Sequence, residues 1–259
     1  MKIAFIAAVN DASVFASNLQ SSPDARKHTL YPMEGFPTAG SAYNAALDST
    51  SEEILIFLHQ DVFLPPGWLD QIISRIDHLN RADPQWAVLG VVGVDFEGKV
   101  VGRTYSSGLR KVVGHGVQSP VPAQSLDEIV LILRRDSGVR FDAELPGFHL
   151  YGTDICQAAI MSGCRCYVVD GFCIHNSNGI RLLPPDFWRA YDYLSKKWEH
   201  QCPLWTPCTM ISRNPWHRFR QRVRDWRRHG LRRSQPGKRE PSPAVILERL
   251  HRGADRGQA

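Results

Sequence analysis

The chain has 259 residues, of which 43% are hydrophobic, and a formal net charge of +5. This is long enough for one large domain with an appendage, and the apolar fraction fills a core that folds without disulfide staples. No apolar stretch approaches the roughly 18 residues that span a bilayer, and residues 2–9 lack the features of a signal peptide, so we expect a cytoplasmic protein.

Predicted strands and helices alternate along the first half of the chain. Residues 3–9 form a short apolar run typical of a buried strand, and Asp11 is expected to cap the helix that follows. The other elements predicted here are strands at 28–31, 54–58, 87–94 and 129–133 and helices at 38–47 and 68–79. Residues 95–124 are rich in Gly and Ser and predict hairpins and loops. The alternation predicts an α/β domain with a largely parallel sheet.

The most informative segment is residues 54–62, where five apolar residues run directly into His59, Gln60 and Asp61. Such a run predicts a strand buried on both faces, and ligands of open α/β sheets bind beyond the carboxyl ends of the strands. A carboxylate and an imidazole two residues apart can share a cation. The segment therefore predicts a metal and nucleotide site, and a turn-capping role for Asp61 is the simpler alternative.

A second group of polar residues lies at 147–154. Thr153 is predicted to cap a helix that ends at Gly163, which puts Asp154 in the first turn, where the helix dipole favours its ionised form. The next predicted strand, 165–169, leads to His175. A helix-dipole role for Asp154 and a core role for His175 are the alternatives. A zinc site is disfavoured by the spacing of its candidate ligands, Cys164, Cys166, Cys173 and His175.

The C-terminal part of the chain is strongly basic, with eleven Lys or Arg residues against two acidic ones between 213 and 240. We therefore divide the chain into a globular domain, 1–210, and a basic, helical and partly disordered extension, 211–259. Asn214 and Pro215 predict a helix start, and one stripe of that helix holds Trp216, Phe219, Val223 and Trp226. Residues 213–233 can thus contact an anionic membrane surface, unless the stripe docks on the domain itself. No nucleic-acid-reading motif is present.

Several short motifs follow one another over residues 1–200. They are Asn10 at the end of the first strand, residues 43–46 (YNAA), residues 57–62 (FLHQDV), residues 141–142 (FD), residues 148–156 (FHLYGTDIC), and Asp170 with His175. Together they resemble a nucleotide-diphospho-sugar glycosyltransferase of the GT-A fold, close to the family 2 glycosyltransferases. The resemblance implies a mostly parallel central sheet flanked by helices.

The resemblance also implies roles for individual residues. Asp61 matches the last carboxylate of the family's Asp-x-Asp metal triplet, and His59 occupies its first position. His175 matches a late His that completes the shell of a divalent cation, Mn²⁺ or Mg²⁺. Asp154 matches the catalytic base of an inverting transfer, and it should face Asp61 across one cleft.

Further residues are expected around the substrates. The resemblance places three of them at the nucleotide: Asn10, Asp11 and Asn44. Four more are expected to line the donor or acceptor pocket, although turn or packing roles explain them equally well: Asp127, Glu128, His149 and Tyr151.

The expected function is metal-dependent transfer of a sugar from a nucleoside-diphosphate sugar to a hydroxyl of a glycan or lipid-linked acceptor. One alternative is a nucleotidyltransferase of related fold, although residues 2–20 lack a glycine-rich, basic phosphate loop. The other is a catalytically silent sugar-nucleotide-binding module recruited to membranes. If the extension contacts a membrane, we expect the protein to be peripheral, on the inner face of that membrane.

Overall fold

The computed structural model describes residues 1–179, 183–233 and 238–256. Its strands are β1 Ile3–Val9, β2 Leu30–Glu34, β3 Ile54–His59, β4 Val62–Phe63, β5 Trp86–Gly90, β6 Val92–Val94, β7 Val100–Ser106, β8 Lys111–His115, β9 Val121–Pro122, β10 Ser125–Leu126, β11 Val130–Arg134, β12 Arg165–Val168, β13 Ile174–His175, β14 Leu204–Trp205 and β15 Met210–Ile211. Its α-helices are α1 Ala12–Ser17, α2 Ala39–Ser49, α3 Trp68–Ala82, α4 Tyr151–Met161, α5 Pro185–Lys197, α6 Pro215–Arg233 and α7 Pro243–Arg256.

The central sheet has seven strands in the order β2-β1-β3-β11-β5-β12-β9. Strands β2, β1, β3, β5 and β12 run in one direction, whereas β11 and β9 run in the opposite one. Residues 54–58 of β3 are buried on both faces, which explains their continuous apolar run. The predicted α/β domain with a largely parallel sheet is therefore confirmed.

A second sheet has six strands, five of them in the order β10-β6-β7-β13-β4, and its sixth strand, β8, pairs with β7. Residues 95–124, predicted as hairpins and loops, supply β7, β8 and β9. Strands β4 and β13 pair antiparallel with His175 opposite Val62. Because Val62 follows Asp61 directly, this register brings His175 beside Asp61.

The strand predicted at 87–94 is two strands, β5 in the central sheet and β6 in the second sheet, and the boundaries of β2 and α4 also differ from the prediction. Strand β2 begins at Leu30 and continues to Glu34, because its partner β1 offers pairing positions as far as Val9. Helix α4 begins at Tyr151, after Leu150 turns the chain with a φ of 64°. Thr153 is therefore not the predicted cap but lies within the helix, where its hydroxyl is 2.8 Å from that of Ser125.

Helix α4 lies close against β10. A Cβ on Gly152 would come within 2.4 Å of the Leu126 carbonyl oxygen, so only glycine permits this approach. The approach holds the start of α4 beside the turn at 127–128, which bears on the site below.

The C-terminal extension forms two helices. Asn214 caps α6 as predicted, since its side-chain oxygen accepts the Trp216 N–H at 3.0 Å. Helix α7 was not predicted; it packs against the domain with Ile246 only 1% exposed. Partial disorder was predicted for the extension, 211–259, and remains a prediction; residues 234–237 and 257–259 lie outside the described residues. Among the helices that the structure describes, none combines the length and the apolar character needed to cross a membrane.

Candidate metal and nucleotide site

The carboxyl ends of β1, β2 and β3 meet at one edge of the central sheet. The pairing register sets Val9 beside Glu34 and Ala8 beside His59. A cavity of about 670 Å³ opens at this edge. Its lining includes Ala8, Val9, Asn10, Ala12, Met33, Glu34, Gly35, Phe36, Tyr43, His59, Gln60, Asp61, Phe148 and Tyr151. Its volume is within the range of small-molecule and cofactor sites, which extends to about 1,000 Å³.

Three potential metal ligands converge where the two sheets adjoin this cavity. One ligand atom each from His59, Asp61 and His175 lies within 4.8 Å of the others. The Asp61 Oδ1 atom is 3.3 Å from His175 Nε2. Asp61 and His59 also line the cavity, so a cation bound here would face its contents.

The charges of these groups suit a cation. Burial acts to raise the pKa of Asp61, but the hydrogen bond from His175 and the positive charge of its neighbours outweigh burial and hold that pKa below its usual value. Burial acts to lower the pKa of His175, and the hydrogen bond and charge of Asp61 raise it above its usual value. The aspartate is thus an ionised ligand, and its imidazole partner must lose a proton before it binds a metal.

His59 is held as a neutral imidazole. Burial, followed by the charge of His175, lowers its pKa to about 4. Its Nε2 atom is 3.1 Å from the Tyr151 hydroxyl, which donates to the Glu128 carbonyl at 3.2 Å. With the phenol proton directed at that carbonyl, the His59 tautomer that completes the network carries its proton on Nε2 and donates it to Tyr151. This tautomer leaves the lone pair of Nδ1 for a cation.

These residues fit a divalent cation by their chemistry. Two imidazoles and one ionised carboxylate are a donor set that Mn²⁺ accepts, and the hydrogen bond from His59 to Tyr151 is the kind of outer-shell contact that orients a metal-binding imidazole. Mg²⁺ prefers oxygen ligands, so the two nitrogen donors favour Mn²⁺.

Comparison with known proteins tests the fold. No protein-family model matches the chain. The structure of GalNAc-T7 with UDP, GalNAc and Mn²⁺ superposes with a TM-score of 0.52 at 10% identity, covering 77% of this chain and 49% of GalNAc-T7. The chain has a GT-A fold. The predicted fold class is thereby confirmed.

Two further proteins are similar to this chain. The Pyrobaculum calidifontis mannosyltransferase PcManGT, in complex with GDP-Man and Mn²⁺, has a TM-score of 0.49 at 12% identity over 99% of this chain and 80% of its own. A curated Fuscovulum blasticum protein, "ATP synthase subunits region ORF 6", is 31% identical over 153 residues. That match covers 58% of this chain, which spans 61% of the relative's length.

The residues predicted at the nucleotide separate into two groups. Asn10 lines the cavity, and Gln60 holds its loop by accepting the Asn10 and Asp11 N–H groups at 3.0 and 3.1 Å. The Asp11 side chain caps α1 by accepting the Val14 N–H. Asn44 is not among the cavity-lining residues, because its amide group is used on the Phe141 backbone, donating at 2.8 Å and accepting at 3.2 Å.

The predicted pocket residues also separate. Tyr151 lines the cavity, whereas the His149 ring is outside that lining and contacts Phe187, with ring centroids 5.8 Å apart. The turn at Asp127 and Glu128 lies behind Tyr151, which donates to the Glu128 carbonyl. Burial, followed by the charge of Asp127, raises the pKa of Glu128 to about 8.

Asp154 is not among the residues that line the cavity. Its side chain is 2% exposed, and Oδ1 accepts hydrogen bonds from Lys197 Nζ and Trp198 Nε1, both at 2.7 Å. Burial raises the pKa of Asp154, and Lys197 and Trp198 oppose that rise. The expectation that Asp154 faces Asp61 across one cleft is therefore wrong for this conformation, because α5 covers its carboxylate; its role as base stays a prediction.

The disfavoured zinc site has no support among the described residues. Cys173 is buried, where its thiol is 3.4 Å from the Thr104 hydroxyl, and Cys166 packs against the Cys156 carbonyl. His175 instead turns to Asp61.

Several residues of the site were not predicted from the sequence. Glu34, Phe36 and Phe148 line the cavity, and Gln60 closes the loop after β1. Glu34 reaches the cavity because β2 extends to this residue, and the end of β2 is known only from the pairing of β2 with β1. For Gln60 the sequence did offer a signal, because it is the polar residue between the two candidate ligands His59 and Asp61.

Proposed function

We propose that this chain is a glycosyltransferase that moves a sugar from a nucleoside-diphosphate sugar to an acceptor hydroxyl, with a divalent cation held by His59, Asp61 and His175. The observation that carries the proposal is the convergence of these three side chains beside a cavity at the carboxyl edge of β1–β3. The structure of GalNAc-T7, which shares the fold, contains UDP and Mn²⁺, and we extend that class of ligands to this chain.

The chain's own residues have defined tasks in such a transfer. When bound, the cation stabilises the negative charge of the departing diphosphate. Tyr151 orients His59 through the hydrogen bond to Nε2, and Gln60 holds the Asn10 loop against the nucleotide cavity. The partly apolar walls, with Tyr43 and Phe36, exclude water from the donor.

The acceptor hydroxyl must lose a proton, and two carboxylates are candidates for that base. Asp154 is the base that the family resemblance implies, and it becomes available only when Lys197 gives up its ion pair. Glu128 is the other candidate because its backbone carbonyl accepts from Tyr151 at the cavity wall, but burial raises the pKa of its carboxyl to about 8, so it must lose a proton before it can serve as a base at neutral pH. A base opposite the leaving group inverts the anomeric centre in either case.

Helix α6 supports contact with an anionic membrane surface, from the cytoplasmic side, and with it a lipid-linked acceptor. Trp216, Phe219 and Trp226 are 62%, 55% and 68% exposed, so the aromatic stripe does not dock on the domain. The domain side of the helix is held by polar contacts instead, since Arg218 pairs with Asp192 at 2.5 Å and the Arg222 guanidinium stacks on Trp188. Exposed aromatics beside arginines are typical of interfacial helices.

The test is direct. The purified chain is incubated with Mn²⁺ and a panel of nucleotide sugars and acceptors, and the released nucleotide product is identified. Release of a nucleoside diphosphate that depends on both metal and acceptor supports the proposal. A parallel incubation replaces the nucleotide sugar with a nucleoside triphosphate and a sugar 1-phosphate, and release of pyrophosphate there indicates a nucleotidyltransferase. Tight donor binding with no turnover indicates a silent binding module, and either result contradicts the proposal.

A further inference from the structure

The C-terminal extension returns to the candidate metal site through Arg239. The Arg239 Nη2 atom is 3.2 Å from Asp61 Oδ2, on the carboxylate oxygen that His175 does not contact. Arg239 Nε also donates to the Asn176 carbonyl at 2.9 Å, one residue beyond His175. Both oxygens of Asp61 therefore have a positively charged or proton-bearing partner supplied by the chain itself.

The backbone around Arg239 is held firmly at this place. The Glu240 N–H donates to Asn176 Oδ1, and Asn176 Nδ2 donates to the Glu240 carbonyl, both at 2.8 Å. The Arg239 N–H donates to Asn178 Oδ1 at 3.1 Å. These bonds pair residues 239–240 with the segment that follows β13, so the position of Arg239 is built into the fold.

Helix α7 anchors the same segment from the other side. Its Ile246 is 1% exposed and packs in a cluster with Phe63, Tyr105 and Ile174. Phe63 lies two residues after Asp61, and Ile174 directly precedes His175. The helix thus packs on the two strands that deliver candidate ligands, and it fixes Arg239 relative to them.

We propose that Arg239 is an internal counter-ion of Asp61 that competes with a divalent cation for this carboxylate. The inference rests on the metal site of the proposed function. A guanidinium and a divalent cation repel each other, and Asp61, with a side chain 12% exposed, cannot hold both without a large electrostatic cost. Arg239 is the partner that moves, because its long side chain is 26% exposed, whereas the carboxylate is fixed between β3 and β4.

The competition has a consequence for ligand binding. Each cation that binds must first break the charge-assisted hydrogen bond between Arg239 and Asp61, so the free chain binds metal weakly. The C-terminal extension thereby sets the metal affinity of a site whose ligands, His59, Asp61 and His175, all belong to the domain.

The experiment measures Mn²⁺ affinity by calorimetric titration of the full chain without nucleotide. Arg239→Gln is expected to bind Mn²⁺ about tenfold more tightly than the wild type, the equivalent of about 1.4 kcal/mol. The matched control is Arg249→Gln, which removes an exposed arginine of α7 that pairs only with Glu240 among the described residues, and its affinity should equal that of the wild type. Equal or weaker binding by Arg239→Gln overturns the proposal.

A second measurement uses the wild-type chain and does not depend on the folding of a variant. Phenylglyoxal modification of Arg239 is followed by peptide mass spectrometry with and without saturating Mn²⁺. Faster modification of Arg239 on metal binding, with Arg249 unchanged, supports displacement of the guanidinium. An unchanged rate at Arg239 overturns it.

The outcomes separate this inference from the proposed function. Tighter Mn²⁺ binding by Arg239→Gln in a chain that transfers no sugar supports the competition and contradicts the glycosyltransferase. Sugar transfer with equal Mn²⁺ affinity in wild type and variant supports the glycosyltransferase and contradicts the competition. Absence of Mn²⁺ binding in every variant overturns both the metal site and the competition.

Discussion

Asp61 and Asp154 are both buried carboxylates, yet their partners are of different kinds. Asp61 adjoins a cavity and contacts a histidine and an arginine that can move or give up a proton. Asp154 lies beneath α5, ion-paired with Lys197 and hydrogen-bonded to Trp198. Burial and an ionic partner therefore do not by themselves mark a functional group; access to a cavity and exchangeable partners distinguish Asp61.

The largest expected effect belongs to Asp61. Asp61→Asn removes the only ionised oxygen ligand of the cluster, so sugar transfer should fall by about 10³-fold or more. Nucleoside-diphosphate release and Mn²⁺ titration measure this loss. The matched control, Asp48→Asn, changes an aspartate 65% exposed in its side chain and should keep full activity. Retained Mn²⁺ binding in Asp61→Asn contradicts the assignment.

The second prediction concerns the stability contributed by the Asp154 pair. Asp154→Ala leaves the Trp198 N–H without its acceptor and Lys197 with Asp142 as its remaining partner, so the free energy of unfolding should fall by about 2 kcal/mol, measured by urea denaturation. Breaking the exposed pair of Arg189 and Asp186 by Arg189→Ala is the control and should cost less than about 1 kcal/mol. Comparable losses from both changes would show that the Asp154 pair is not a structural one.

The same residue also tests the choice of base. Asp154→Asn keeps an acceptor for the Trp198 N–H but cannot take a proton from the acceptor hydroxyl. If Asp154 is the base, transfer stops while donor affinity is unchanged. Full transfer by this variant eliminates Asp154 and leaves Glu128 as the candidate.

A third, smaller effect is the pH dependence from Glu128. Its pKa is raised from 4.5 to about 8, so between these values the folded chain keeps a proton that the unfolded chain releases. Stability from this group is present at low pH and is lost as pH rises through that window. Glu128→Gln removes the loss, so its advantage over the wild type should grow steadily as the pH rises from 5 to 8. Thermal or urea unfolding across that range checks it, and parallel profiles contradict it.

The smallest predicted effect concerns helix α6. Trp216→Ala with Trp226→Ala should weaken sedimentation with anionic liposomes by about tenfold, because two exposed indoles lose contact with the lipid interface. Phe96→Ala is the matched control, since Phe96 is 62% exposed, as is Trp216, but lies on a loop of the domain. Equal sedimentation of wild type and double variant removes the membrane proposal.

The local pattern of apolar residues was sufficient to predict most strands of the central sheet. Strands β1, β3 and β11 and helices α2 and α3 lie within about two or three residues of the predicted limits, because their apolar periodicity coincides with burial. His59 and Asp61 were identifiable because they interrupt an apolar run at the end of a strand. The placement of His175 beside them depended on the family resemblance, and the β4–β13 register confirms that placement.

The sequence by itself determined the α/β architecture and the polar edge where β3 ends, since both follow from short-range periodicity. Only the tertiary structure decided that Lys197 covers Asp154, that Asn44 binds the Phe141 backbone, and that Arg239 reaches Asp61. These contacts join residues 43 to 178 positions apart. Pairings over such separations are selected by the packing of whole elements, and no local pattern encodes them.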